Sequence, residues 1–260
     1  MTRMFDVIKR INVSSYWQNT IMLVVKEISE KELHFLRPLS AWISRTQPLP
    51  KRFYNPGHVD TPKDDWGVWL SIEEAAPLHL ATEMNWISLS EARGITDEYL
   101  ASASDLIDGL QGAWLDSEER QWILDALGEP PSPALPIYLI ACFDGAREDV
   151  VYIGKTKNIS RFYGGHSAAL KLHSPEYDGQ TKKIYRATIW FYDGEEYISL
   201  DWIRPESLAH QLLDTIESKL IYHFQPALNT AKRKQDSSQW KFHLHIQNFL
   251  EGSFLDDHFL

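Results

Sequence analysis

The sequence predicts an α+β protein. Its middle segment should fold as β-β-α-β-(β)-α, a small antiparallel sheet flanked by helices, preceded by a mixed α/β N-terminal domain. Three observations predict it. Two apolar runs, PIYLIACF (136–143) and VVYIG (150–154), are separated by DGARED, whose Asp144-Gly145 suits a hairpin turn. KKIYRATIWFY (182–192) has the composition of a third strand. PESLAHQLLDTIESKLIYHFQ (205–225) repeats apolar residues at helical spacing, opened by Pro205 and closed by Pro226.

In chain order, TIMLVVKEI (Thr20–Ile28) reads as a strand and 49–67 as a loop rich in Pro, Gly, Asp and Asn. Residues 88–110 offer two helix starts, capped by Ser88 or Ser90 and then by Thr96. DSEERQWILDAL (116–127) is a helix with an Asp116/Glu119 capping box and an apolar face of Trp122, Ile123, Ala126 and Leu127. EPPSPALP (129–136) holds four prolines in eight residues and must be an extended connector. It divides the chain into an N-terminal domain (1–133), a central domain (134–234) and a C-terminal extension (235–260). Within the centre a helix spans Asn158–His173, and Asp193-Gly194 turns the third strand into YISLDWI.

The net charge is −10. Residues 1–133 carry 12 Lys/Arg against 20 Asp/Glu, whereas 134–234 carry 13 against 12. Salt screens charges beyond about 8–10 Å, so a polyanion would feel mainly the balanced centre. The single cysteine, Cys142, allows no internal disulfide and suits a reducing cytoplasm. The start MTRMFDVIKR lacks the apolar centre of a signal peptide, and no apolar run reaches membrane-spanning length.

Two side chains sit oddly. With Leu212 at 0° and about 100° per residue, Leu213, Ile216, Leu220, Ile221 and Phe224 fill an arc in which Glu217 falls at about 140°. A carboxylate there must be protonated, paired or coordinated; Asp214 lies just outside. On the first central helix, Arg161 points away from the apolar side, toward Gly164, Gly165 and Ala168. A face so bare allows another backbone, including a sugar-phosphate one, to come close. His166 falls on the apolar face, as a core histidine or a site residue. His243 and His245 share one strand face, and Lys182, Lys183, Arg186 and Lys232-Arg233-Lys234 are cations that could meet phosphate or only solvent.

Residues 136–234 resemble the GIY-YIG nuclease domain. PIY carries Tyr138, YIG carries Tyr152 and Gly154, Arg161 follows on the helix, Glu217 lies on the last helix, and QPALN ends in Asn229. The first motif is PIY rather than GIY, the position four after Arg161 is Gly165 with His166 next, and Asp193-Gly194 forms an insertion. The resemblance implies a metal-dependent endonuclease that leaves 5′-phosphate and 3′-hydroxyl ends. Glu217 would hold one Mg²⁺, with Mn²⁺ able to substitute, and Tyr138 would act on the attacking water. A phenol with its ordinary pKa of about 10 is a poor base, so Lys155 and Arg161 would favour its anion. Arg161 would also bind the scissile phosphate, Tyr152 would orient water or phosphate, and Asn229 would fix backbone near the metal or contact phosphate. DNA is the expected partner, with RNA left open, and restriction or phage defence the expected setting. The first 133 residues would supply target selection or assembly, and a duplex cut would need a homodimer or successive nicks. The alternative is an inactive domain of the same fold that binds nucleic acid or protein.

Overall fold

The computed structural model describes residues 67–107, 115–156, 167–192, 197–234, 240, 242–248, 250 and 258–259. The expected strand at 20–28, the first part of the helix expected from Asn158, and the Asp193-Gly194 turn lie outside them.

Strand β1 (Gly67–Pro77) leads through a 3₁₀ turn (Leu78–Glu83) to helix α1 (Leu89–Leu106), followed by α2 (Ser117–Leu127). The hairpin β2 (Ile137–Phe143) and β3 (Glu148–Lys155) comes next, then short helix α3 (Ser167–Lys171) and the long strand β4 (Thr181–Tyr192). Strand β5 (Tyr197–Ser199), helix α4 (Glu206–Phe224), β6 (His243–Asn248) and β7 (His258–Phe259) complete the order.

The chain is α+β, with one correction to the expected sheet. Seven strands join in the order β3-β2-β4-β1-β6-β7, with β5 also paired to β4, and β1 runs parallel to β6. The sheet is therefore mixed and larger than the small antiparallel one expected. Its cause is the free side of β4. Residues 181–187 pair with β2 on one side, while β1 pairs antiparallel along the other from Lys183 to Tyr192. β4 is buried on both faces from Ile184 to Phe191, as a central strand with two covered faces must be. Strands from before the proline connector and after residue 234 thus share one sheet with the central segment.

Alternation along β2 divides the core. Ile137, Leu139 and Ala141 pack with residues of α1, α2 and α4. Tyr138, Ile140 and Cys142 face the other way, against Ala81, Trp86, Leu172 and Tyr177. The hairpin turn forms as expected: Asp144 Oδ1 accepts from the backbone N–H groups of Ala146 and Arg147 at 2.8 and 2.9 Å.

Ser88 and Glu91 form a capping box at the start of α1. The second start expected at Thr96 does not occur, because Thr96 is buried within the same helical face as Ala92, Leu100 and Ala103. The Asp116/Glu119 capping box of α2 is present, but only Ile123 of its expected apolar face is buried, and Trp122 stands exposed. Helix α1 is tied to the turn before α4 by two buried arginines. Arg93 donates to the Ile203 carbonyl at 2.7 Å, and Arg204 bonds the Asp201 carbonyl at 2.9 Å and pairs with Asp97. No helix among the described residues is long and apolar enough to cross a membrane.

Candidate active site

Tyr138 and Gly154 are direct partners across the β2–β3 hairpin, so they share a sheet face. The glycine is required by crowding. A Cβ on Gly154 would stand 2.5 Å from Tyr138 Oη, 2.6 Å from its Cζ and 2.9 Å from Tyr152 Cε1. The two phenol rings fill the space a side chain would need. Their centroids lie 6.0 Å apart, and Trp86 meets Tyr138 edge-on at 5.4 Å. Tyr138 is 0% exposed, while Tyr152 is only partly buried. The pairing register skips Val151, between Ile140↔Tyr152 and Ala141↔Val150. Such a bulge re-aims neighbouring side chains, here immediately before Tyr152.

Arg186 also belongs to this face. It is the β4 partner of Tyr138, lies 4.9 Å over the Trp86 ring and pairs with Glu74 at 3.2 Å. Burial pulls its guanidinium below the usual pKa, and Glu74 opposes that pull. The sequence left Arg186, like Lys182 and Lys183, open between phosphate and solvent. Cys142 lies in the same cluster. Burial pushes its thiol up to about 11, so it stays protonated and unreactive near neutrality.

The acid of α4 forms the second group. Glu217 faces inward as its angle on the helix implies, with its side chain 13% exposed, and it is paired. Lys232 Nζ lies 2.6 Å from Glu217 Oε2, and Lys155 Nζ lies 3.7 Å from the same oxygen. Lys155 also pairs with Asp214, one turn earlier on α4. Lys155 follows Gly154 directly, so the strand that carries Tyr152 also supplies a cation to Glu217. Successive residues of a strand point to opposite faces. Tyr152 and Gly154 share the face of Tyr138, and Ile153 and Lys155 the face on which α4 packs. The structure thus gathers two phenols on one side of β3, and Lys155 with Glu217 on the other.

Asn229 links α4 to that strand. Its Oδ1 accepts from Ile153 N–H and its Nδ2 donates to the Ile153 carbonyl, both at 2.9 Å. Leu228 N–H donates to the Val151 carbonyl at 2.9 Å. β3 is the edge of the sheet, and this segment takes the place of a further strand beside it. A buried donor or acceptor left unmade costs about 1–3 kcal/mol. Asn229→Ala strands two of them and is expected to lower stability by about 2–4 kcal/mol in urea unfolding. A loss below about 0.5 kcal/mol would show that solvent replaces the side chain.

Arg161 and His166 lie outside the described residues. Among the described residues no group of three or more His, Cys, Asp or Glu side chains is placed to hold a metal ion. Lys232, left open between phosphate and solvent by the sequence, is a direct partner of Glu217; no periodicity marks a residue in a loop. No protein-family model matches this chain, and neither a curated protein nor a solved structure matches it.

Proposed function

We propose that the chain is a metal-dependent endonuclease of the GIY-YIG type that hydrolyses phosphodiester bonds in DNA, with restriction or phage defence as its setting. The observation that carries this reading is the Lys155–Glu217 contact, made by the residue next to the Gly154 on which both phenols rest. A phosphodiester laid across this end of β3 would meet the Tyr152 phenol on one face and an ammonium and a carboxylate on the other.

Glu217 would be the ligand of the divalent cation, in competition with the two lysines that meet its Oε2. One carboxylate suits a hard ion such as Mg²⁺, or Mn²⁺ in its stead, that keeps several waters and binds partly through substrate phosphate. When bound, that ion supplies charge stabilisation at the phosphate oxygens. The chain's own groups do the rest. Lys155 places a positive charge beside the phosphate, and Arg161 would bind that phosphate as the resemblance implies. Tyr152 is the phenol within reach of solvent and orients the attacking water. Tyr138 is enclosed behind it and reaches the water's proton only after Tyr152 or Trp86 gives way. Asn229 fixes the β3 backbone that carries these groups.

The enclosure of Tyr138 favours a second reading, a non-cleaving module that keeps the fold and binds nucleic acid. Supercoiled plasmid separates the two. Incubation with Mg²⁺ or Mn²⁺ is expected to give nicked and then linear DNA, and EDTA none. Retarded but uncut plasmid under every metal condition would establish the second reading instead.

A further inference from the structure

A phenol takes a proton from water only as its anion, and burial penalises that anion. Tyr138 is fully enclosed, so its use as a base calls for a positive charge on its own side of the sheet. Lys155 extends from the opposite face of β3, toward Glu217. On the face of Tyr138 the described ionisable groups are Tyr152 on β3, Cys142 on β2, Tyr177 after α3, Lys182 and Arg186 on β4, and Glu74 on β1. Burial raises the Cys142 thiol and the Tyr177 phenol, which stay neutral. Lys182 is the partner of Cys142, about 13 Å along the strand from Arg186.

Arg186 is the partner of Tyr138 itself. Its guanidinium lies 4.9 Å over the Trp86 ring, whose centre is 5.4 Å from that of the phenol, so one indole separates the charge from Tyr138. Pairing with Glu74 does not cancel that charge inside. The arginine side chain is 3% exposed and the glutamate 47%, so the pair turns its positive end to the core and its negative end to solvent. Arg186 Nε is also buried and meets no acceptor among the described residues. An unspent buried donor asks for a reason beyond the surface pair.

We propose that Arg186 is a positioning residue for Tyr138, its buried charge favouring the phenolate that receives the proton of the attacking water. The proposal rests on the nuclease reading above. In the step, that proton passes to Tyr138 Oη and the water oxygen bonds to phosphorus. The 3′-oxygen departs with the bonding pair and takes a proton from solvent. Arg186 touches none of these atoms and acts across the Trp86 ring. At about 10 Å and an effective dielectric constant of about 20, one charge moves a phenol by about one pH unit. Arg161 and His166 lie outside the described residues, and the comparison below leaves both unchanged.

The test follows plasmid nicking by the full chain in Mg²⁺, at enzyme excess and across pH, with folding checked by circular dichroism. Wild type is expected to speed up with rising pH until the phenol is ionised, and Tyr138→Phe to lose that climb. Arg186→Met should move the climb about one pH unit higher, so that nicking on its slope falls about tenfold and recovers on the alkaline side. Glu74→Gln removes the opposing charge and should move the climb the other way, by less, because solvent screens a half-exposed carboxylate. An arginine that only packs would lower the rate equally at every pH. The proposal is overturned, with the nuclease reading intact, by a wild-type profile without the climb or by a climb that persists in Tyr138→Phe. It is overturned equally by a climb that stays in place in Arg186→Met, or that fails to move lower in Glu74→Gln. If Arg186→Met does not fold, the direction of the Glu74→Gln shift decides alone. Wild type that nicks at no pH in Mg²⁺ or Mn²⁺ removes the nuclease reading, and the proposal with it.

Discussion

Replacing Glu217 by glutamine is expected to reduce metal-dependent plasmid nicking by about 10²–10³-fold while the protein remains folded. The substitution keeps the shape of the side chain and removes only the charge that two lysines and a cation would share. Lys155 retains Asp214, so the strand end does not lose every counter-ion. The substitution removes two ion pairs, to Lys232 and Lys155, from a side chain 13% exposed, at a cost of about 1–3 kcal/mol. Nicking within about threefold of wild type, at equal metal, would remove Glu217 from the chemistry. The measurement distinguishes a catalytic carboxylate from a structural one: activity collapses while the melting temperature falls by only several degrees and the protein stays folded.

The second large effect is expected at Gly154. In an ordinary strand, glycine to alanine stabilises by about 0.5–1 kcal/mol, since alanine has less freedom to lose. Here the sign should reverse. The added methyl would sit 2.5 and 2.6 Å from Oη and Cζ of Tyr138, whose ring is enclosed and backed by Trp86. Overpacking of this kind costs about 1–3 kcal/mol, and both phenols must shift, so nicking should fall as well. Tyr138→Phe removes one of the crowded atoms, and the double variant should therefore lose less stability than the sum of the single ones. Stabilisation by Gly154→Ala would mean that the rings yield freely and that the glycine serves no packing purpose.

How far these arrangements could be read in advance varied with the physics. Glu217 was legible because an apolar arc in a long helix leaves a charged residue conspicuous. Its partner Lys232 was not, since a cation three residues beyond an asparagine carries no period to place it. Asn229 stood out only through the resemblance of QPALN to the family pattern, and the sequence could not say that its amide would bond both the N–H and the carbonyl of Ile153. Strand β1 went unread. Its burial is continuous from Gly67 to Leu70 and then gives way to exposed Glu73, Glu74 and Ala75, with a register shift between Ile72 and Glu74. Neither a clean alternation nor a helical repeat survives that change. The parallel pairing of β1 with β6 joins residues nearly 180 apart and depends on the whole assembled sheet. Thr96 misled for a simpler reason: a good capping residue can equally be buried in mid-helix when its face is needed for packing.

The placement of β1 bears on how the central segment could be excised. A fragment begun at the proline connector would keep the five motif residues and lose the neighbour that occupies one whole flank of β4. The ten residues from Lys183 to Tyr192 would then offer bare amides and carbonyls to the next molecule, the usual start of edge-to-edge aggregation. A shortened chain that keeps this flank of β4 paired includes β1 from Gly67 onward.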